Sequence, residues 1–321
     1  MAAAEPTLSI VIPTHDTREL TLKCLGSLAG ADAEVIVVDD GSSDGTAQEI
    51  ARRHPSARVL RNPSALGFTA AANRGLREAK GRLLFLLNSD TEVESDTLSR
   101  LVEAFEASPR LGAGGASLRY PDGSPQWSGG PAPTPAWLFA LASGIPALLA
   151  KLPGFRRLHP LEGEARAVDW VSGAAMAIRR RAWDEVGPLD ESFAFYCQDL
   201  DFCLRLRSAG WEVRVVPGMR VLHHSGASIG KTSGSLKARQ HPGLLWADLV
   251  RVAGKQGGAA AARRAAATLR LGGRLRVLSR SAALPLVPAA RRSAWREDTE
   301  AFRGALAALA TAVAPRPHEA A

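Results

Sequence analysis

The fold is decided by one stretch, VIVVDDGSSDGT at residues 35–46. Val35–Val38 is a β-branched apolar run that ends in two aspartates and a glycine, a combination that predicts a buried strand and then a turn. The next residues suit the start of a helix, with Ser43 or Asp44 as the N-cap. A strand, a carboxylate-bearing turn and a capped helix are typical of a nucleotide site. Ordinary turn and capping chemistry is the competing interpretation.

Two similar apolar runs lie on either side of this stretch. Leu8–Ile12 ends at Pro13, and Leu83–Leu87 ends in Asn88-Ser89-Asp90. Helix-like segments accompany the three runs: Thr17–Leu28, Asp44–Arg53 and Gly67–Ala79. Strands that alternate with helices through short connections predict an α/β fold with a mostly parallel, Rossmann-like sheet flanked by helices.

The polar residues after these strands are expected to converge. Ligands of open α/β sheets bind at the carboxyl ends of the strands, which places Thr14, Asp40 and Asp90 together. A carboxylate such as Asp40 can accept a hydrogen bond from a base or a ribose. Asp90 can hold a divalent cation against a diphosphate. Each of these sites taken alone is also consistent with a simple turn.

The rest of the chain predicts a second, different region. Residues 121–165 are rich in Pro and Gly and suggest a flexible insertion with one short amphipathic helix around Trp137–Ala150. Regular elements return after it: strands at Val168–Ile178, Glu212–Val216 and Met219–Leu222, and helices at Arg180–Val186 and Leu200–Ala209. The prediction is a catalytic domain at 1–240 and an Ala- and Arg-rich helical region at 241–321.

Charge indicates an anionic partner without choosing one. The chain of 321 residues has a formal net charge of +8 and a pI near 10.0, which suits nucleotide phosphate, anionic lipid or nucleic acid. Nucleic acid is not expected, because no recognisable binding module is present. The basic C-terminal helices either lie on an anionic membrane or pack on the catalytic domain, and the sequence favours neither.

Three cysteines, Cys24, Cys197 and Cys203, have no paired short spacing, which argues against a disulfide framework or a zinc site. The N-terminus lacks the basic and long apolar segments of a signal peptide. Trp137–Ala150, the longest apolar stretch, is too short to cross a bilayer. We therefore expect a cytoplasmic protein, with peripheral contact at the inner face of the cell membrane as a further expectation.

A later segment offers a general base. Asp199 follows the aromatic cluster of Phe193–Tyr196 and begins a helix, so apolar surroundings would raise its pKa while the helix N-terminus would lower it. Helix capping is the alternative. Asp201 and Arg205 are expected to form an exposed i,i+4 ion pair. His223 is a ligand candidate only if it reaches Asp90.

Together these motifs resemble glycosyltransferase family 2, which has the GT-A fold, and are closest to its bacterial rhamnosyltransferase-like and galactofuranosyltransferase-like members. The resemblance runs in order over about two thirds of the chain, from Leu8 to Ser228. Its motifs are Ser9–His15, Val38–Thr46, Gly67–Gly75, Leu87–Asp90, Trp170–Ala174, Phe195–Arg205 and Val221–Ser228.

The resemblance implies a role for each matching residue. Nucleotide binding falls to Pro13, Thr14, Asp40, Asn73 and Asn88. Asp90 and His223 are implied to hold Mg²⁺ or Mn²⁺, and Asp199 to act as the general base. Trp170, Ser172 and Gly173 are implied to border the donor and the acceptor. Three positions depart from the family pattern, namely Ala65, Ser89 and Gln198, and Gln198 removes an acidic neighbour of the base.

The implied activity is inverting, metal-dependent transfer of a sugar from a nucleotide-diphosphate donor, either dTDP-rhamnose or a UDP-sugar. The implied acceptor is a hydroxyl of a glycan or a lipid-linked glycan in bacterial cell-envelope polysaccharide synthesis. Two other functions are considered. A nucleotidyltransferase that makes sugar nucleotides would carry a Gly-rich basic loop after the first strand, where this chain has Pro13–Asp16. A non-catalytic sugar-nucleotide-binding membrane scaffold would not need the full set of Asp40, Asp90, Asp199 and His223.

Overall fold

The computed structural model describes residues 6–145, 166–193, 196–224 and 242–311. Several sequence predictions lie outside them: the end of the apolar patch at 146–150, Phe195, the last part of the closing motif at 225–228 and the end of the C-terminal region. The chain divides into two compact units, one of residues 1–132 and 161–238, the other of residues 133–160 and 239–321. The division into domains stays a prediction.

The described residues form eleven strands and nine helices. The strands are β1 Leu8–Thr14, β2 Glu34–Asp39, β3 Arg58–Arg61, β4 Leu83–Leu87, β5 Thr91–Val93, β6 Leu111–Arg119, β7 Gly129–Gly130, β8 Arg166–Ala167, β9 Trp170–Val171, β10 Ala175–Arg179 and β11 Glu212–His223. The helices are α1 Arg18–Ser27, α2 Thr46–Arg53, α3 Phe68–Glu78, α4 Thr97–Ala107, α5 Pro135–Ser143, α6 Arg180–Val186, α7 Gln198–Ser208, α8 Pro242–Ala283 and α9 Arg292–Thr311.

One sheet organises the first unit. Its strand order is β3-β2-β1-β4-β10-β6-β11-β5, and β8 also pairs with β11. Strands β3, β2, β1, β4, β6 and β11 run in one direction, and β10, β5 and β8 run in the other. The predicted mostly parallel α/β sheet is therefore confirmed.

The central strands are apolar on both faces because helices cover both. Every residue of β1 and β4 is buried, as expected for strands inside a two-sided sheet. Helix α3 packs closely because Gly75 has no side chain: a Cβ there would clash with Val11 and Val38. This close packing fixes the position of α3 against β1 and β2.

Two local predictions differ from the structure. Val168–Ile178 is predicted to be one strand, but the structure divides it into β9 and β10, which a turn at Ser172–Ala174 separates. Glu212–Val216 and Met219–Leu222 form one strand, β11, with a shift in register between Val216 and Arg220 where it pairs with β6. The turn contains Ser172 and Gly173, and the shift precedes His223 on the same strand.

The second unit is helical. Helix α8 contains a kink at Gly257 and Gly258, where the backbone leaves the helical conformation. Gly272 lets α8 approach α5, since a Cβ there would lie 2.9 Å from that of Ala142. Among the helices that the structure describes, none combines the length and the hydropathy needed to span a bilayer.

Candidate active site

The carboxyl ends of the parallel strands converge as the topology requires. Thr14 at the end of β1 pairs with Asp39 at the end of β2, and the N–H of Asp40 donates to the Thr14 carbonyl at 2.8 Å. After β4, the N–H of Asn88 donates to the carbonyl of Ala174 at 2.9 Å. The turn before β10 is therefore joined to the loop that carries Asp90.

Asp40 is nearly buried and closes the loop before α3. Its carboxylate accepts hydrogen bonds from the Asn62 side chain at 2.6 Å and from the N–H groups of Leu66 and Gly67, each at 3.0 Å or less. This carboxylate therefore organises the loop around the candidate nucleotide pocket. The expected contact between Asp40 and a nucleobase stays a prediction.

Thr14 belongs to a buried group of hydroxyls. Its Oγ1 lies 2.8 Å from that of Thr17 and 2.7 Å from that of Thr21. The Thr17 hydroxyl in turn lies 3.1 Å from that of Ser89. Ser89, one of the departures from the family pattern, thus connects the end of β1 to the Asp90 loop. Pro13, the preceding residue, is also buried, and the nucleotide contacts of Pro13 and Thr14 stay predictions.

Asn73 holds a neighbouring loop. It is completely buried, its Oδ1 accepts from the N–H of Leu189 at 3.0 Å, and its Nδ2 donates to the Leu189 carbonyl and to Glu191, each at 2.8 Å. These bonds use both ends of the amide. The role seen here is to fix the segment before α7, and a direct nucleotide contact stays a prediction.

The structure brings Asp90 and His223 together, although they lie far apart in sequence. Oδ1 of Asp90 is 3.3 Å from Nε2 of His223, and the Asp90 side chain is almost completely buried. The N–H of His224 donates to the Asp90 carbonyl at 2.9 Å, so the strand itself positions the pair. The His224 side chain turns away to Glu92, at 2.7 Å.

Gln126 sets the orientation of the His223 ring. The Gln126 Nε2 donates to the His223 carbonyl at 2.5 Å, which leaves its Oε1 facing Nδ1 of the ring at 2.9 Å. An amide oxygen only accepts, so Nδ1 carries the hydrogen. In the neutral ring, Nε2 then presents a lone pair toward the Asp90 carboxylate.

These donors fit a divalent cation. The lone pair on Nε2 of His223 faces the Asp90 carboxylate at 3.3 Å. A positive charge between these two groups would stabilise them both. A second hydrogen bond on the far ring nitrogen is the usual support of a metal-binding histidine. The nearby Oδ1 of Asn88 is buried and accepts no hydrogen bond from any described residue. Within the described residues, no cluster of three or more His, Cys, Asp or Glu side chains could hold a metal.

Asp199 lies at the start of α7 and is held by two backbone groups. The N–H of Gly173 donates to its Oδ2 and the N–H of Leu200 to its Oδ1, both at 2.8 Å. Burial raises the pKa of this carboxyl above the usual range, although the hydrogen bonds from Gly173 and Leu200 oppose the shift. A partly exposed aspartate with a raised pKa is suited to accepting a proton.

Gly173 approaches Asp199 closely because it lacks a side chain. A Cβ at Gly173 would lie 3.3 Å from the Cβ of Asp199. Beside it, the Ser172 hydroxyl accepts from the N–H of Ala174 at 3.3 Å. Trp170 donates its ring N–H to the Pro131 carbonyl at 3.1 Å and meets Trp127 edge-on, with centroids 5.1 Å apart. The donor and acceptor contacts expected of Trp170, Ser172 and Gly173 are not tested.

The Asp201–Arg205 pair is not the exposed ion pair expected from its spacing. The Asp201 side chain is 0% exposed and that of Arg205 is 25% exposed, with 2.9 Å between Nε and Oδ2. The guanidinium also donates to the carbonyls of Val186 and Pro188, at 2.6 and 2.7 Å. The expectation was wrong because Arg205 folds inward to bind the loop after α6.

Comparisons with known proteins show the family. The family model "Glycosyl transferase family 2" matches residues 9–184, and "Glycosyl transferase family group 2" matches residues 161–238. The N-acetylglucosaminyl-diphospho-decaprenol L-rhamnosyltransferase of Mycobacterium tuberculosis (strain ATCC 25618 / H37Rv) is 32% identical over 254 residues, which are 73% of this chain and 81% of that protein.

Solved structures show the same fold at low identity. The mannosyltransferase PcManGT from Pyrobaculum calidifontis, in complex with GDP-Man and Mn²⁺, superposes with a TM-score of 0.55 and 17% identity over 97% of this chain and 88% of that chain. GalNAc-T7 with UDP, GalNAc and Mn²⁺ gives a TM-score of 0.56 and 18% identity over 96% of this chain and 58% of that chain.

Proposed function

The chain belongs to glycosyl transferase family 2 and has the GT-A fold, and from that premise we propose that it is an inverting, metal-dependent rhamnosyltransferase. The family expected from the sequence motifs is confirmed, and the chain is a glycosyltransferase. The observation that carries the mechanism is the carboxyl of Asp199, held by Gly173 with a raised pKa. Gly173 in turn belongs to the turn that is joined to the Asp90 loop.

The nucleotide diphosphate is proposed to occupy the edge formed by the ends of β1, β2 and β4. Asp90 and His223 would hold Mg²⁺ or Mn²⁺ there, and the Mn²⁺ of two solved relatives supports this choice of ion. When bound, the cation neutralises charge that develops on the leaving diphosphate. Gln126 keeps the His223 ring in the orientation that this requires.

The carboxylate of Asp199 is proposed to take the proton from the acceptor hydroxyl as its oxygen attacks the anomeric carbon. The bond to the diphosphate breaks on the opposite side, so the configuration inverts in a single displacement. The two backbone N–H groups that donate to Asp199 hold its carboxylate in place, and the acceptor hydroxyl would bind against it. Trp170 and Ser172 would border the bound sugars.

The donor sugar is proposed to be L-rhamnose, carried by dTDP, with UDP-sugars as the competing donors. The support is the mycobacterial relative, which is an L-rhamnosyltransferase named for a lipid-diphosphate-linked N-acetylglucosamine acceptor. The acceptor here would accordingly be a lipid-linked glycan of the cell envelope, modified at the cytoplasmic face of the membrane.

The first experiment is thermal unfolding against a panel of nucleotide sugars, with and without Mn²⁺. A ligand that binds the folded state raises the melting temperature, by an amount set by its concentration relative to Kd. The expected result is a shift with dTDP-rhamnose that requires Mn²⁺ and is lost in Asp90→Ala. Asp96→Ala, at an exposed aspartate before α4, should keep the shift. A metal-independent shift that survives in Asp90→Ala would contradict the proposed site.

Asp199→Asn tests the base separately from binding. The variant should retain the donor-induced shift but lose transfer to a lipid-linked acceptor by about a hundredfold or more. Asp184→Asn, at an exposed aspartate of α6, is the matched control and should transfer normally. Near-normal turnover of Asp199→Asn would show that another group removes the proton.

A further inference from the structure

The second half of α8 carries an exposed row of leucines. Leu271, Leu275 and Leu278 are 63%, 42% and 68% exposed, and their i, i+4, i+7 spacing places them on one face of the helix. Leu286, in the 3₁₀ turn after α8, is 87% exposed. Single exposed leucines are ordinary, but a contiguous row of them marks an interaction surface.

Packing of the second unit leaves much of each of these leucines exposed. The buried positions of this half of α8 are mostly small, and the helix approaches its neighbours through Gly272 and Gly273. A Cβ at Gly273 would lie 2.7 Å from the ring of Trp246. Apart from Leu269, this half of α8 therefore buries small residues and leaves its other leucines largely exposed, whereas a helix of an ordinary soluble bundle buries its large apolar residues.

The positive charge of the chain is concentrated in the same segment. Residues 242–311 contain twelve Lys and Arg and four Asp and Glu, a net charge of +8. The whole chain has 40 basic and 32 acidic residues, also +8, so the remainder is balanced. No acidic residue occurs between Asp248 and Glu297, an interval that includes the whole leucine row.

The segment with the leucines also carries arginines without acidic partners among the described residues. Arg264 is on the same face as Leu271, two turns earlier, and Arg274 is at the edge of that face. Arg291 follows Leu286. All three arginines are exposed, and no carboxylate among the described residues is within ion-pair distance of them. By contrast, Arg251, Arg280 and Arg303 of the same unit do have such partners, namely Asp248, Asp298 and Glu300.

We propose that this surface rests on an anionic lipid bilayer, with the leucines among the upper acyl chains and the arginines at the headgroup phosphates. We call this set the leucine–arginine face: Leu271, Leu275, Leu278, Arg264 and Arg274 on one side of α8, with Leu286 and Arg291 in the segment that follows the helix. Apolar side chains that insert and cations that bind phosphate are the two components of interfacial binding.

Two other occupants fit the face less well. A nucleic acid would use the arginines but would leave the leucines against a polar backbone. A second copy of the chain would bring two like-charged segments together, which costs free energy. The inference does not depend on glycosyl transfer, because vesicle binding is measured without substrate and its failure would leave the proposed catalytic function intact.

The test is co-sedimentation of the full-length protein with vesicles of phosphatidylcholine alone and of phosphatidylcholine with phosphatidylglycerol. The protein should bind the anionic vesicles. Binding should weaken at high salt, because salt screens the attraction between the arginines and the lipid phosphates. The combined variant Leu271→Ser, Leu275→Ser, Leu278→Ser should bind at least about tenfold more weakly. Leu244→Ser, at an exposed leucine outside the row, should bind normally.

A second set of variants tests the charges. Arg264→Gln, Arg274→Gln and Arg291→Gln together should also reduce binding by at least about tenfold. The control is Arg58→Gln, Arg82→Gln and Arg100→Gln, which makes the same change in net charge at arginines that pair with carboxylates in the first unit.

Three outcomes would overturn the proposal. The first is equal vesicle binding by each variant and its control. The second is binding to duplex DNA but not to vesicles, and the third is self-association through the face without vesicle binding. Circular dichroism monitors folding of each variant. If the triple leucine variant is unfolded, Leu286→Ser alone, at the most exposed position, gives the same test with a smaller expected loss.

Discussion

Nε2 of His223 lies 3.3 Å from Oδ1 of Asp90, across the junction between β11 and the loop after β4. The adjacent backbone bond, from the His224 N–H to the Asp90 carbonyl, fixes this separation. Gln126 fixes the remaining freedom, which is the rotation of the ring. Three segments of the chain therefore have to fold before this pair of donors exists.

Gln126→Leu should weaken Mn²⁺ binding by about tenfold or more, because His223 loses the acceptor that orients it. Titration calorimetry of Mn²⁺ in the presence of nucleoside diphosphate measures this change, and imidazole ¹⁵N shifts report the tautomer of His223. Gln48→Leu, at an exposed glutamine of α2, is the control. Unchanged affinity together with an unchanged tautomer would mean that the strand alone positions the ring.

Transfer should lose activity on acidification at a pH above the usual range for an aspartate. The base acts only when ionised, and burial raises the pKa of Asp199, so protonation begins at a higher pH than for an exposed carboxyl. The rate should be level above this pKa and fall tenfold per pH unit below it. The measurement is kcat against pH at saturating donor. A rate that stays level through the ordinary aspartate range would contradict the assignment.

Gly173→Ala should lower kcat by about tenfold to a hundredfold with little change in donor affinity. The added Cβ would be 3.3 Å from the Cβ of Asp199, which is tighter than an ordinary contact, so Asp199 has to shift slightly and its alignment with the acceptor changes. Single-turnover transfer and donor binding separate the two effects. Gly26→Ala in α1, where a Cβ meets nothing within 4 Å, controls for the gain of a methyl group. Normal transfer by Gly173→Ala would show that the close approach is not needed.

Arg205→Met should lower the free energy of unfolding by about 3 kcal/mol, because the Asp201 carboxylate loses its buried ion-pair partner. Urea denaturation gives the value. Arg100→Met removes an exposed arginine with acidic neighbours and should cost less than about 1 kcal/mol. Equal, small losses of unfolding free energy in both variants would indicate that another group stabilises the Asp201 charge.

The strands that carry the nucleotide site were predictable because each is strongly apolar and ends in polar residues. Leu111–Arg119 was not predicted, since its glycines hide a strand pattern. These glycines are needed where side chains from other elements fill the space: a Cβ at Gly115 would lie 2.5 Å from Val171. Such a requirement is set by tertiary packing and leaves no local signal.

Contacts between distant segments were the least predictable part of the site. Gln126 lies in a Pro- and Gly-rich stretch that the sequence suggests is a flexible insertion, and nothing local indicates that it supports His223. The i,i+4 spacing predicts an exposed Asp201–Arg205 pair, because spacing describes only the helix. It gives no sign that Arg205 also binds the loop after α6. The sequence predicts His223 as a ligand only if it reaches Asp90. The pairing of β11 with β5 brings the two residues together.

The position of β10 in the sheet affects how the protein folds during synthesis. This strand lies between β4 and β6, yet it follows both along the chain. A ribosome that has produced only the first hundred and twenty residues or so holds two strands whose inner edges have no neighbour, and such edges promote aggregation. Chaperone demand should therefore be greatest during this interval, and truncated fragments that end before Ala175 should be insoluble.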